Sequence, residues 1–426
     1  MPNSDRPESP LMRPNLMRRL LGIALKLIVG VVGLLVLFVF ALWLRAFKPA
    51  DLEPVAVTCR EPAPSYDAQL PLSVLSWNVQ YMASKEYVFF YDIDQTDTER
   101  VADVARAGKT LADRPSLKHI RWSIEEVASL IEREDPDVVL IQEINSEADS
   151  RTHFVDQIGD LIERLGTRFP CHADTSYWQA EYILHPSIMG PVDLRLLTLS
   201  RYKLSSAVRH QLPRPDINPI ERPFYFQRAI LETRHPTTDG SEIAMLNTHF
   251  EAWGAGTGVM QKQVGRALEI VGALDEAAVP WVLGGDLNLL PPDGNRQRQR
   301  ILAARTGNYD ERTAIAPFYE AYGAIPALLN LQRSDAKDWY THIPNDPTVS
   351  EPDRTIDYVF YSNQWRPLSA EVVHGRSWAI SDHLPVVGQF RYVPEGALSC
   401  DPEVIGYSLT SCPEQFIKRP TGNPSQ

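Results

Sequence analysis

Eight polar residues in this 426-residue chain stand at or beside the ends of apolar runs: Asn78, Glu143, His249, Asp286, Asn288, Asp357, Asp382 and His383. Glu143 follows Val138-Val139-Leu140-Ile141-Gln142. A carboxylate there is costly to bury unless it is paired or bound to a metal. Oxygen donors from Asn78 and Glu143 suit Mg2+ or Mn2+, with water completing the shell. Asp286 and Asn288 lie two apart in Gly284-Gly285-Asp286-Leu287-Asn288, so on extended chain they point the same way. Asp286 would take a proton from water while Asn288 donates to a phosphate oxygen. Ser381-Asp382-His383 puts an imidazole beside a carboxylate, fit for neutralising phosphate or for acid–base work. Asp357 would orient that ring, and His249 offers a second imidazole. Taken singly, each fragment reads as the polar end of a strand or a turn that closes one.

The elements that must hold these residues can be placed. Ser73–Trp77 reads as a strand that delivers Asn78. Ser123-Ile124-Glu125-Glu126 has the spacing of a capping box that opens a helix, with Ile124, Val127, Leu130 and Ile131 on one face and Asp135-Pro136-Asp137 stopping it. Val138–Ile141 is a short apolar run typical of a buried strand. Ile243–Leu246 is a strand that leads to Asn247-Thr248-His249. Val264, Leu268, Val271 and Leu274 mark a helix, and Trp281–Leu283 a strand before Gly284-Gly285-Asp286. Ile356, Tyr358 and Phe360 alternate with Asp357, which therefore faces the other way. A final strand spans Leu384–Phe390. Catalytic groups collect at such strand ends because a rigid sheet fixes them.

Taken in order, WN, QE, NTH, GDLN, TIDYVF and SDHLPV resemble the endonuclease/exonuclease/phosphatase superfamily, the deoxyribonuclease I-like proteins, over about Leu72 to Val393. The resemblance implies an α/β four-layer sandwich, two packed mixed β-sheets flanked by helices. It implies a metal-dependent phosphoester hydrolase in which Asn78 and Glu143 sit at Mg2+ (or Mn2+). Asp286 activates water, Asn288 and His383 hold phosphate, and Asp357 pairs with His383. Asp382 lies beside the metal or that pair, and His249 assists the phosphate or the leaving oxygen. Two positions depart from the pattern. Gln80 stands where abasic-site nucleases have an acid, and Leu194–Leu204 keeps Ser200-Arg201 without a glycine start. The aromatic stretch Tyr81–Tyr91 reads either as a substrate-facing loop or as a cover for the core. Arg228, after Gln227, reads as a phosphate contact or a rim ion pair.

Leu20–Leu44 carries one charge, Lys26, and is long enough to span a bilayer as a helix. The run exceeds that of a signal peptide and no A-x-A follows. One uncleaved N-terminal transmembrane helix is expected. Arg6, Arg13, Arg18 and Arg19 precede it, which places residues 1–19 in the cytoplasm and the body outside, in the periplasm or at the cell exterior. Residues 45–71, rich in proline, read as a tether, 72–393 as the enzymatic domain and 394–426 as a tail. The net charge is −12, and residues 1–60 hold eight Lys/Arg against four acids, which leaves −16 for the rest. A body that acidic is a poor general polyanion binder. This favours a membrane-proximal phosphoester such as a phospholipid over nucleic acid, for which Arg296–Arg300 is the best cationic run. Even that run reads more naturally as a solvated helix face. A catalytically silent binding module would have lost the strand-end acids, and they are present. No feature calls for a protein partner. Cys59, Cys171, Cys400 and Cys412 allow three pairings, of which Cys400–Cys412 is the local one. No Cys/His spacing suits zinc.

Overall fold

The computed structural model of the protein describes residues 14–292, 296–304, 308–333 and 336–393. The expected tail, 394–426, and the Cys400–Cys412 pairing lie outside the described residues. The chain divides after Ala46 into two units. The first holds a helix, Pro14–Arg45, whose stretch Arg18–Arg45 is long and apolar enough to cross a membrane. Its Leu21, Leu27 and Leu34 are each more than half exposed.

The second unit is built on two mixed seven-stranded sheets. In the first, the strand order is Leu52–Val55, Ser206–Gln211, Ala229–Pro236, Glu242–His249, Trp281–Asp286, Asp357–Tyr361 and Gly323–Ile325. In the second it is Trp365–Val372, Val386–Tyr392, Leu72–Asn78, Val138–Asn145, Gly190–Ser200, Cys171–Ile183 and Val57–Cys59. Each sheet has one parallel pair near its middle: Glu242–His249 with Trp281–Asp286, and Leu72–Asn78 with Val138–Asn145. Leu72, Val74, Leu140, Met245, Val282 and Val359 fill the space between the sheets. Helix Val259–Glu276 covers the outer face of the first sheet through Val264, Ala267 and Val271. Helices Leu117–Glu134 and Gln157–Leu165 cover the second through Ile124, Val127 and Leu161. These are the four expected layers.

Two expectations are corrected. Part of the tether belongs to the sandwich. Leu52–Val55 pairs with Ser206–Gln211, Val57–Cys59 pairs with Cys171–Ile183, and Cys59 is disulfide-bonded to Cys171. Both segments are edge strands, where Pro54 is tolerated because no inner ladder needs its missing N–H. Ser123 is no cap. The helix starts at Leu117, where Ser116 Oγ accepts the His119 N–H at 3.3 Å, and Ser123 is buried inside it. Its stop is as expected, with Asp135 in the left-handed region at φ 52°.

His235 bridges the sheets. It is fully buried, its Nδ1 3.2 Å from Ser200 Oγ and its Nε2 3.1 Å from Thr233 Oγ1. Burial pushes its pKa down to about 3. Between about 3 and the ordinary value near 6.5, the unfolded chain binds a proton that the folded chain does not, so stability falls as pH falls. The slope is about 1.4 kcal/mol per pH unit for this one group. Denaturant titrations at pH 6.5 and pH 5 should show the wild type losing about 2 kcal/mol more than His235→Gln. Equal losses would contradict this.

Candidate active site

The C-terminal ends of the two central parallel pairs bring the polar residues together. Asn78 ends one strand and Glu143 sits in its neighbour. The pairing of Val138–Asn145 with Gly190–Ser200 shifts register between Ile141 and Ile144, and Glu143 takes φ +56°. Such a bulge re-aims a side chain, here toward the other sheet. On that sheet His249, Asp286 and Asp357 stand abreast: His249 is the register partner of Asp286, and Asp286 of Asp357. Asn247 locks the sheets just below. Its Nδ2 donates to Ile141 O at 2.9 Å and Leu197 O at 3.0 Å, and its Oδ1 accepts from Gln142 Nε2 at 2.8 Å. Gly284 is needed for this approach, because a Cβ there would crowd Leu140 Cδ1 and Ser76 Cβ of the facing sheet.

Asn78 Nδ2 donates to Glu143 Oε1 and to Asp286 Oδ2, both at 3.1 Å. Its Oδ1 accepts the Gln80 N–H at 3.0 Å, which settles which amide atom faces which way. Asn78 therefore orients the two carboxylates, and its oxygen faces away from them. His249 lies 3.3 Å from Asp286 Oδ2 through Nε2 and 3.7 Å from Glu143 Oε1 through Nδ1. Tyr177 OH holds its Nδ1 at 3.1 Å, and Asn288 Nδ2 donates to its Nε2 at 3.1 Å. The neutral ring fits both bonds. Burial, then Arg228 and His383, hold the His249 pKa well below the ordinary value.

His383 is the opposite case. Burial works against its charge, yet Asp357, Asp286 and Asp382 outweigh it and hold its pKa well above the ordinary value. Its Nδ1 donates to Asp357 at 2.9 and 3.0 Å, and its Nε2 lies 3.6 Å from Asp286 Oδ2 and 3.9 Å from Asp382 Oδ1. The Asp286 carboxyl is pushed above the ordinary carboxylate range, chiefly by burial, with His383 pulling the other way. Glu143 is also raised, by burial and then by Asp382, against a hydrogen bond from Asn78.

All eight expected residues thus meet in one place. Among the described residues, three groups have ligand atoms close enough to share an ion: Glu143, His249 and Asp286; Asp286, Asp357 and His383; and His342, Asp382 and His383. The first fits a hard cation best, because it combines two carboxylates with a neutral imidazole, while the other two both contain the His383 imidazolium.

The sequence profile of the endonuclease/exonuclease/phosphatase family matches residues 75–383. The chain belongs to this family. Phosphoester hydrolysis is the family's chemistry, and all eight residues fall inside the match. Among solved structures, an endonuclease/exonuclease/phosphatase from Beutenbergia cavernae is 20% identical over 76% of this chain and 72% of its own, with a TM-score of 0.45. The human Nocturnin catalytic domain with bound sulfate is 16% identical over 80% and 97%, with a TM-score of 0.45. No curated protein matches the chain.

Tyr177 and Thr341 reach this site without a sequence signal of their own. Tyr177 is one interior position of a long strand. Thr341 donates through Oγ1 to Asp357 Oδ2 at 2.6 Å, from a loop with no motif. Arg228 is 2% exposed, its Cζ 4.4 Å from the Phe226 ring and 5.2 Å from Tyr177. Its Nε and Nη1 are buried without a hydrogen-bond partner among the described residues. Ser200 and Arg201 serve the fold instead: Ser200 meets His235, and Arg201 pairs with Asp135 and Asp137. The aromatic segment is mostly core, with Tyr81, Tyr87 and Phe89 buried and Tyr91 42% exposed.

Proposed function

We propose that the protein is a Mg2+- or Mn2+-dependent phosphoester hydrolase, anchored by residues 20–44, whose body lies outside the cytoplasm and acts on a phosphodiester near the membrane, such as a phospholipid. The observation that carries it is the meeting of a charge-deficient carboxylate pair, Glu143 and Asp286, with the protonated His383–Asp357 pair. Glu143 would be the principal ligand of that ion, with Asn78 Nδ2 holding its carboxylate in place at 3.1 Å. An ion held there would supply a Lewis acid for the phosphoryl and leaving oxygens. Asp286, a buried carboxylate beside Glu143 and 3.6 Å from His383 Nε2, is placed to take a proton from the attacking water. His383 and the unpartnered nitrogens of Arg228 neutralise the phosphate, with Asp382 beside them. Asn288 reaches a phosphate oxygen by releasing its longer bond, 3.3 Å to Phe250 O. Phosphoryl transfer needs this positioning and charge neutralisation more than covalent chemistry.

Two observations support the location: the cationic residues before the span, and the Cys59–Cys171 disulfide, a bond favoured outside the cytoplasm. The cationic run fits a nucleic-acid track poorly. Gln297 and Arg298 are buried, against the expected solvated face, and Arg300 faces Asp353 at 3.7 Å. Full-length protein in detergent should be assayed with Mg2+ on bis-p-nitrophenyl phosphate, a choline phospholipid and plasmid DNA. Turnover of the first two with plasmid untouched is expected. Plasmid nicking that falls steeply with salt would make it a nuclease.

A further inference from the structure

Lys85 lies within the aromatic stretch Tyr81–Tyr91, between strand Leu72–Asn78 and helix Leu117–Glu134, outside the motifs that carry the eight site residues. Its Nζ donates to Ile343 O at 2.7 Å and to Asn345 Oδ1 at 2.6 Å, and its main-chain N–H donates to Ala379 O at 3.1 Å. One residue thus ties together two loops from distant parts of the chain. The first loop carries Thr341, which holds Asp357, and His342, whose ring packs edge-on against His383 at 4.6 Å. The second carries Asp382 and His383. The loops also bond to each other, Ile343 N–H to Asp382 O at 2.8 Å and Leu384 N–H to Thr341 O at 2.7 Å. Asn345 Nδ2, on the far side of the lysine contact, reaches Asp382 Oδ2 at 3.5 Å.

We infer that Lys85 is a positioning residue for hydrolysis: it staples the Thr341–Asn345 loop to the segment before Asp382, and so fixes the geometry of the Asp357–His383 pair. This rests on the proposed function of the site. A lysine is an expensive choice here. Burial pushes its amine down to about 7, and an apolar side chain of similar length would fill the space without that cost. What an apolar replacement would not do is satisfy the Ile343 carbonyl and the Asn345 amide oxygen. The same loop is also tied at the surface by Arg100 and Asp346, 2.8 Å apart and both partly exposed. An ion pair of that kind contributes little and touches nothing in the pair.

The test is steady-state hydrolysis of bis-p-nitrophenyl phosphate with Mg2+ by full-length protein in detergent, with thermal melts alongside. Lys85→Met should lower kcat about ten- to a hundredfold, the scale of a small misplacement of reacting groups. Its KM should stay within about twofold, since ground-state binding is untouched. Asn345→Ala should lose part of the rate, and the double variant should be no slower than Lys85→Met, because both act through one contact. Lys85→Gln, which keeps donors at that position, should recover part of the rate even if Lys85→Met melts early. Arg100→Ala should match the wild type. Wild-type kcat in Lys85→Met, losses that multiply independently with Asn345→Ala, or a raised KM at unchanged kcat would each overturn the inference. A wild type that hydrolyses nothing would instead overturn the proposed function on which it rests.

Discussion

Glu143→Gln is expected to cut phosphodiester turnover by at least about a hundredfold while leaving the melting temperature unchanged or raised. The substitution is nearly isosteric and keeps an oxygen to accept from Asn78 Nδ2. It removes only charge, and charge is what the site has in excess: the Glu143 carboxyl is already raised by burial and by Asp382. In the metal-free protein, relief of that strain favours the fold, the usual opposition between stability and function at an active site. With metal present the same change would remove the proposed principal anionic ligand, so half-saturation by Mg2+ should move to higher concentration together with the loss of rate. Full rate in Glu143→Gln would remove Glu143 from the site. A large fall in melting temperature would show that the residue is structural.

His383→Ala should cost at least about a hundredfold in kcat, by a different route. The imidazolium exists only because Asp357, Asp286 and Asp382 surround it. Deleting it would take away the cation proposed to face the phosphate and leave Asp357 with Thr341 Oγ1 and no ring to orient. Asp357→Asn should therefore lose less than His383→Ala, since the ring remains. The double variant should lose no more than His383→Ala, because residues that act as a unit are not additive. Circular dichroism should be unchanged in all three. Independent, multiplying losses would mean that Asp357 acts elsewhere than through His383.

The site was legible in the sequence to the extent that chemistry and geometry share a local signal. An apolar run that ends in Glu143, Asp286 or His249 shows both the strand and its delivered group, and alternation around Asp357 shows which face it takes. Contacts made across sheets or between loops have no such signal. Tyr177, Thr341 and Lys85 reach the site from positions 72, 16 and 258 residues away from the partners they bond. The fold was legible in its centre and not at its edges. Leu52–Val55 and Val57–Cys59 are short and contain or adjoin proline-rich sequence, which reads as a tether until the neighbouring strands and Cys171 are seen to receive it. The helix start was misplaced because Ser123 has capping-box spacing, while the observed cap, Ser116, has only its own hydroxyl to announce it.

If these side chains form one metal-dependent site that cleaves a P–O bond, turnover must follow the ion. The most direct measurement strips divalent ions from purified full-length protein with a chelator, then follows bis-p-nitrophenyl phosphate hydrolysis as Mg2+ or Mn2+ is titrated back. No turnover without metal, saturable recovery in the wild type and none in Glu143→Gln over the same range is the predicted result. Undiminished turnover in excess chelator, or recovery in Glu143→Gln equal to the wild type, would contradict it.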